Sequence, residues 1–329
     1  MFAIGRHISK LSGYAPAVPT PFNGAGNMDI AAFERLCELQ VNAGPTALVV
    51  AGTTGEAPTL TPAEQRQLIR IAAGIAGGRV PVVAGAGSNS TTHAIELSRG
   101  AEVAGADALL SVVPYYNKPT QAGLYAHFRE VAGSTGLPLV LYDVPSRTVC
   151  GLADDTVERL AELPQVIGLK DATGDVTRPI RLRSRLGPDF RLLSGDDATA
   201  FAFLAQGGDG CISVTSNVAP GMCRDMYLAL RRGQIGQAQR SASILMELTL
   251  ALFSGPNPVP VKFALSLLGI MSSQVRLPLV ELDDHAKNVV AAALNNVIDH
   301  CPCDIVSDCQ TLQHGLRACR STNSLSQRG

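Results

Sequence analysis

Lys170 ends an apolar run, Val166-Ile167-Gly168-Leu169-Lys170-Asp171-Ala172-Thr173-Gly174, where a strand usually gives way to a turn residue. Desolvation disfavours the charged form of a lysine, and a neutral amine is a nucleophile, which is how a Schiff-base lysine is made. Most lysines instead cap a strand and hold the ammonium in solvent. This chain has five lysines against 22 arginines, so arginine supplies its surface positive charge and Lys170 is a poor candidate for filler. Other polar groups stand at the ends of other apolar runs: Gly52-Thr53-Thr54-Gly55-Glu56, Pro114-Tyr115-Tyr116-Asn117-Lys118-Pro119, Tyr142-Asp143-Val144-Pro145-Ser146-Arg147 and Ser194-Gly195-Asp196-Asp197. The first of these offers backbone N–H groups and two hydroxyls to an anion, carboxylate or phosphate alike. Arg147 follows a proline turn, and its planar fork suits a carboxylate.

Positioning these residues falls to a repeated pattern. Apolar runs at 14–18, 46–51, 80–84, 106–113, 137–142, 166–170, 190–193 and 210–214 end in Gly, Pro, Thr or Asp, and helix-period stretches lie between them. Asp29 before Ile30, Thr61-Pro62-Ala63-Glu64 and Pro119-Thr120-Gln121 are helix starts. Strand-helix alternation implies a parallel sheet, and eight units favour closure into an α/β fold, the (β/α)8 TIM barrel, with chemistry at the carboxyl ends of the strands. The competitor is an open doubly wound sheet with Gly85-Ala86-Gly87 as a dinucleotide loop, but Ser90 stands where that fingerprint needs its third glycine. Helical patterns at 234–253, 259–268 and 283–298 have no strands between them. Residues 1–232 are thus expected to form the catalytic barrel, 233–299 an appended C-terminal helical segment packed on it, and 300–329 a disordered Cys-rich tail.

Side chains alternate along a strand. If Lys170 points into the barrel, Gly168 and Val166 do too, with Gly168 leaving room for the lysine, whereas Leu169 and Asp171 face the helices. The same parity aims Val140 and Tyr142 inward and sets a phenol beside the amine, where it could move protons. A core tyrosine more often bonds its hydroxyl to backbone.

Net charge is −1 and no long block of either sign occurs, which gives no electrostatic case for nucleic acid or an anionic membrane. A small molecule or another subunit is the expected partner. The first residues lack a secretory signal, and the best apolar stretch, 244–253, is too short to span a bilayer and contains Glu247, so a cytoplasmic enzyme is expected. Cys37, Cys150, Cys211 and Cys223 sit in apolar contexts as small hydrophobes. His300, Cys301, Cys303, Cys309, His314 and Cys319 are metal-ligand types without the paired spacing of a zinc module, and no metal site is expected there.

Jointly with Gly168-Leu169-Lys170-Asp171-Ala172-Thr173-Gly174 and Pro256-Asn257-Pro258-Val259-Pro260-Val261-Lys262, the four strand-end segments resemble the dihydrodipicolinate synthase family. That family lies within the pyruvate-dependent class I aldolases, which include N-acetylneuraminate lyase. The resemblance covers residues 14–298. It implies that Lys170 condenses with pyruvate to an imine, that the derived enamine attacks aspartate semialdehyde, and that neither metal nor organic cofactor is required. By the same resemblance Tyr142 relays protons through Thr53 to Tyr116, which relatives receive from the adjacent subunit. Arg147 would hold the semialdehyde carboxylate, Thr54 the pyruvate carboxylate, and Gly195 and Ile212 would lend backbone near the imine. A shared relay implies a homo-oligomer, a dimer usually paired into a tetramer.

Serine at Thr53 would fit a sugar-acid aldolase or N-acetylneuraminate lyase better, and Arg147 favours the synthase. A catalytically silent keto-acid-binding barrel is the rival of another class. Asp143 replaces an asparagine common in relatives and is expected to tune the loop. In lysine-inhibited relatives the inhibitor site uses a glutamate on the helix after the third strand. Here the aligned positions hold Ala57, Pro62, Gln65 and His93, while Asn89 and Tyr115 remain. Loss of the acidic partner removes the charge expected to bind an ammonium, which implies weak or absent feedback inhibition.

Overall fold

The computed structural model describes residues 11–300. Eight parallel strands run in chain order: β1 (Gly13–Pro16), β2 (Leu48–Val50), β3 (Val82–Gly85), β4 (Ala108–Val112), β5 (Leu139–Asp143), β6 (Val166–Asp171), β7 (Arg191–Ser194) and β8 (Gly210–Ser213). Each pairs with its sequence neighbour from β2 to β8, and β8 pairs with β1. The ring closes between β1 and β2, where Thr46 N–H donates to Tyr14 O and Val18 N–H to Val49 O, both at 2.9 Å. The expected barrel forms, and the open sheet does not.

Around it lie α1 (Ile30–Asn42), α2 (Pro62–Ala76), α3 (Thr91–Ala104), α4 (Gln121–Ala132), the single turn α5 (Pro145–Thr148), α6 (Asp154–Ala161), α7 (Arg178–Leu186), α8 (Ala200–Ala205) and α9 (Pro220–Arg231). Then α10 (Ile235–Leu252), α11 (Val259–Leu267) and α12 (Asp284–His300) follow with no strand between them. Asp29 accepts from Ala32 N–H at 3.0 Å to start α1, and Thr61 with Glu64 closes a reciprocal capping box on α2. Ser90, at the position where a dinucleotide loop needs glycine, caps α3 through His93 N–H at 3.4 Å. Gly85 and Gly87 serve packing: a β-carbon on the first would strike Ala51 O, and one on the second would strike the Val112 backbone.

Alternation along the strands splits the apolar residues into two cores. Leu139, Leu141 and Leu169 join the large outer core against the helices, while Val140, Tyr142, Leu193 and Ile212 fill the barrel interior. Burying each leucine contributes about 1.5–3 kcal/mol. The parity expectation fails at one position: Val166 belongs to the outer core, and Ile167 packs inside. The cause is a register shift in which Leu139 pairs with Val166 but Val140 pairs with Gly168, so β6 carries one extra residue and its alternation resets there.

The expected tail beyond residue 300, with Cys301, Cys303, Cys309, His314 and Cys319, lies outside the described residues. Among the described residues no helix is long and apolar enough to cross a membrane, and no cluster of three or more His, Cys, Asp or Glu could hold a metal ion.

Candidate active site

The pairing of β5 with β6 makes Tyr142 the direct neighbour of Lys170. Lys170 is 7% exposed, and its Nζ lies 4.1 Å from the Tyr142 ring centroid. A cation over a ring face gains about 0.5–2 kcal/mol. Among the described residues, no carboxylate forms an ion pair with Lys170 and no group hydrogen-bonds the Tyr142 hydroxyl. The amine is buried without a fixed counter-ion, and the phenol is open for proton transfer.

The stem of Lys170 fits only because Gly195 has no side chain. A β-carbon there would lie 2.9 Å from Lys170 Cε and 3.0 Å from its Cγ. The expectation that Gly168 leaves this room is corrected: its missing β-carbon admits β7, since one built there would meet Arg191 O at 2.6 Å. Overpacking costs typically about 1–3 kcal/mol. Gly195→Ala is therefore expected to lower kcat/KM for pyruvate by roughly 10- to 100-fold. Wild-type kinetics in that variant would mean that the stem moves aside freely.

The outward residues that follow Tyr142 and Lys170 are Asp143 and Asp171, themselves partners across the two strands. One buried guanidinium joins them: Arg178 Nη1 lies 2.8 Å from Asp143 Oδ2 and 3.3 Å from Asp171 Oδ2. Arg178 Nε also donates to Asp154 at 3.0 Å, and Nη2 to Leu152 O at 2.6 Å. Burial raises the Asp143 carboxyl above the usual range, against the opposing pull of Arg178. Asp143 also accepts from Leu152 N–H at 3.1 Å, so its contacts run to the loop behind the barrel wall.

The Gly52-Thr53-Thr54-Gly55-Glu56 loop begins where Ala51 turns into the left-handed region at φ 55° and ends at Glu56 with φ 56°. Such conformations in non-glycine residues are strained and persist only when their surroundings over-determine them. Here the surroundings are identifiable. Thr20 Oγ1 donates to Gly55 O at 2.7 Å, and Asn257 Nδ2 to Thr54 Oγ1 at 3.1 Å. Lys262 Nζ pairs with Glu56 Oε1 at 2.6 Å, while Arg276 N–H donates to Glu56 Oε2 at 3.0 Å. Burial pushes the Lys262 ammonium down to about 8 despite Glu56. Asn257, Lys262 and Arg178 received no role from the sequence. Lys262 carries the same signal that singled out Lys170, an apolar setting in a chain poor in lysine.

A cavity of about 400 Å³ opens here, and its walls include Thr53, Tyr142 and Arg147. Arg147 is exposed and makes no ion pair among the described residues. Lys170 is not among its walls and lies behind the Tyr142 ring, which does line it. Thr54, Gly195 and Ile212 are not among its walls; Thr54 and Ile212 are buried and Gly195 half-buried. Ala57, Pro62, Gln65, His93 and Tyr115 also line it, and among the described residues no carboxylate does. Tyr116 is not brought to the cavity. Its backbone takes φ 74° and its side chain is 87% exposed.

The chain matches the model of the dihydrodipicolinate synthetase family over residues 10–297. A 4-hydroxy-tetrahydrodipicolinate synthase of Rhodospirillum centenum is 51% identical over 282 residues, which are 86% of this chain and 97% of that one. The solved dihydrodipicolinate synthase of Acinetobacter baumannii, complexed with pyruvate, superposes with a TM-score of 0.85 at 42% identity, covering 87% of this chain and 98% of that one. The enzyme of Cyanidioschyzon merolae with lysine bound gives 0.85 at 38% identity, with coverage of 87% and 98%. A lysine under a tyrosine at the mouth of a closed barrel, and relatives matched over nearly their whole length, lead to one statement: this chain belongs to the dihydrodipicolinate synthetase family.

Proposed function

We propose that this protein condenses pyruvate with L-aspartate 4-semialdehyde to 4-hydroxy-tetrahydrodipicolinate through an imine on Lys170. The amine adds to the pyruvate ketone, water leaves, and loss of a methyl proton turns the imine into a nucleophilic enamine. Attack on the aldehyde carbon forms the new carbon–carbon bond. The substrate's own amine then displaces lysine, closing the ring and restoring the enzyme. The reading is carried by buried Lys170, whose Nζ lies 4.1 Å from the Tyr142 ring centroid with no carboxylate partner among the described residues.

In this reading Tyr142 and Thr53 pass the protons, Thr54 takes the pyruvate carboxylate, Arg147 takes that of the semialdehyde, and Gly195 and Ile212 flank the imine. Tyr116 completes the relay of a second copy, which accords with its exposure of 87%. The working form is then a cytoplasmic homo-oligomer, at least a dimer. The test is borohydride reduction in the presence of pyruvate, followed by mass analysis of the peptide that contains Lys170. A stable adduct on Lys170 is expected; no adduct, or one on another residue, overturns the mechanism.

Regulation follows from the same cavity. Where Ala57, Pro62, Gln65 and His93 line it, an ammonium finds no carboxylate, and the Gln65 amide is committed to Ala57 O at 3.2 Å. Turnover is expected to stay above half its uninhibited value in submillimolar L-lysine, measured at fixed substrate concentrations. Half-inhibition in that range would count against this reading.

A further inference from the structure

We infer that Asn257 is a positioning residue that fixes the direction of the Thr54 hydroxyl. A hydroxyl has one proton to give and two lone pairs to accept with. The Asn257 amide N–H occupies the acceptor side of Thr54 Oγ1 at 3.1 Å. The remaining proton is thereby left for an outside acceptor. Were the amide turned over, its oxygen would take that proton and the hydroxyl would have nothing to offer an anion.

Two further contacts keep the two partners together. Thr54 is 3% exposed, so solvent does not compete freely for it. Its loop is tied by the Glu56–Lys262 pair at 2.6 Å to α11, which starts two residues after Asn257. Thr20 fixes Gly55 from the other side at 2.7 Å. Among the described residues Asn257 Oδ1 is buried with no hydrogen-bond partner, so toward them the amide presents only its N–H side. A carboxylate arriving at Thr54 meets a donor already aimed, which spares the cost of reorienting it.

The inference rests on the reading of Thr54 as the pyruvate carboxylate contact, and the test separates the two. Pyruvate KM, kcat and thermal midpoint are measured for Thr54→Val, Asn257→Ala, Asn257→Asp and the Thr54→Val/Asn257→Ala pair. Thr54→Val and Asn257→Ala are each expected to raise pyruvate KM about tenfold, the scale of one hydrogen bond to a charged group. Asn257→Asp is nearly the same shape but accepts where the amide donates, so its KM rises further. The double variant should be no worse than Thr54→Val alone, a non-additivity that general loosening of the loop does not produce. Wild-type KM in Asn257→Ala beside a raised KM in Thr54→Val overturns the inference, as does full additivity. An unchanged KM in Thr54→Val overturns the assignment of Thr54 itself, and the inference with it, while leaving the Lys170 adduct to stand or fall separately.

Discussion

Lys170→Met is expected to lower turnover by roughly three orders of magnitude or more, at least ~4 kcal/mol of barrier at 1.36 kcal/mol per decade. Methionine keeps an unbranched apolar stem against Gly195 and the Tyr142 ring but has no nitrogen to form the imine. Because Lys170 is 7% exposed and has no ion-pair partner among the described residues, an apolar side chain of similar length strands no buried partner. The thermal midpoint should therefore hold or rise. Steady-state rates and a melting curve on the same preparation check both halves. Activity within tenfold of wild type would end the covalent mechanism, and a collapse of the midpoint would mean that Lys170 bears structural weight.

Arg178→Met is expected to have the largest effect on stability. Asp143 and Asp171 are 0% and 4% exposed, and Arg178 is the buried positive charge that both contact. Breaking a buried pair from one side costs about 3–5 kcal/mol, which for a chain of this size lowers the midpoint on the order of 10 °C. The sign with pH follows from Asp143, whose carboxyl is already raised by burial and loses its main opposing charge in the variant. A carboxyl raised in the folded state favours folding when protonated, so the deficit should shrink toward acid pH and grow as pH climbs through the raised value. Adding Asp143→Asn to Arg178→Met should recover part of the loss, because it removes one stranded charge. Melting curves between pH 5 and 8 decide this; a deficit that ignores pH and is not relieved by Asp143→Asn would mean that Arg178 acts by packing alone.

Much of this was legible because the deciding signals are local. Each strand is an apolar run with its own punctuation, and Asp29, Thr61 and Thr120 start helices with oxygens that reach only three residues forward. Lys170 and Tyr142 could be matched because alternation holds over the short stretch from Gly168 onward. Val166 departs from the expected parity because the reset at Ile167 is set by pairing with β5, which nothing within β6 announces. The supports of the site were hidden for the same reason. Glu56 and Lys262 are 206 residues apart, and Arg178 and Asp143 are 35 apart, so each looks like an ordinary charged residue until the chain closes. Gly195 and Gly168 were both visible as glycines, but which backbone or stem each one admits depends on the neighbouring strand.

That long span between Glu56 and Lys262 also sets a clock on the ribosome. The threonine loop is among the first parts of the barrel to be made, yet its anchor emerges 206 residues later, about 10–40 s at about 5–20 residues per second. Until then Glu56 has no lysine to neutralise it, and of the side-chain ties described for the loop only that from Thr20 to Gly55 can already form. A nascent chain can thus carry every strand of the barrel and still lack the Glu56–Lys262 tie, so the threonine loop gains that support only with the helices that follow the last strand.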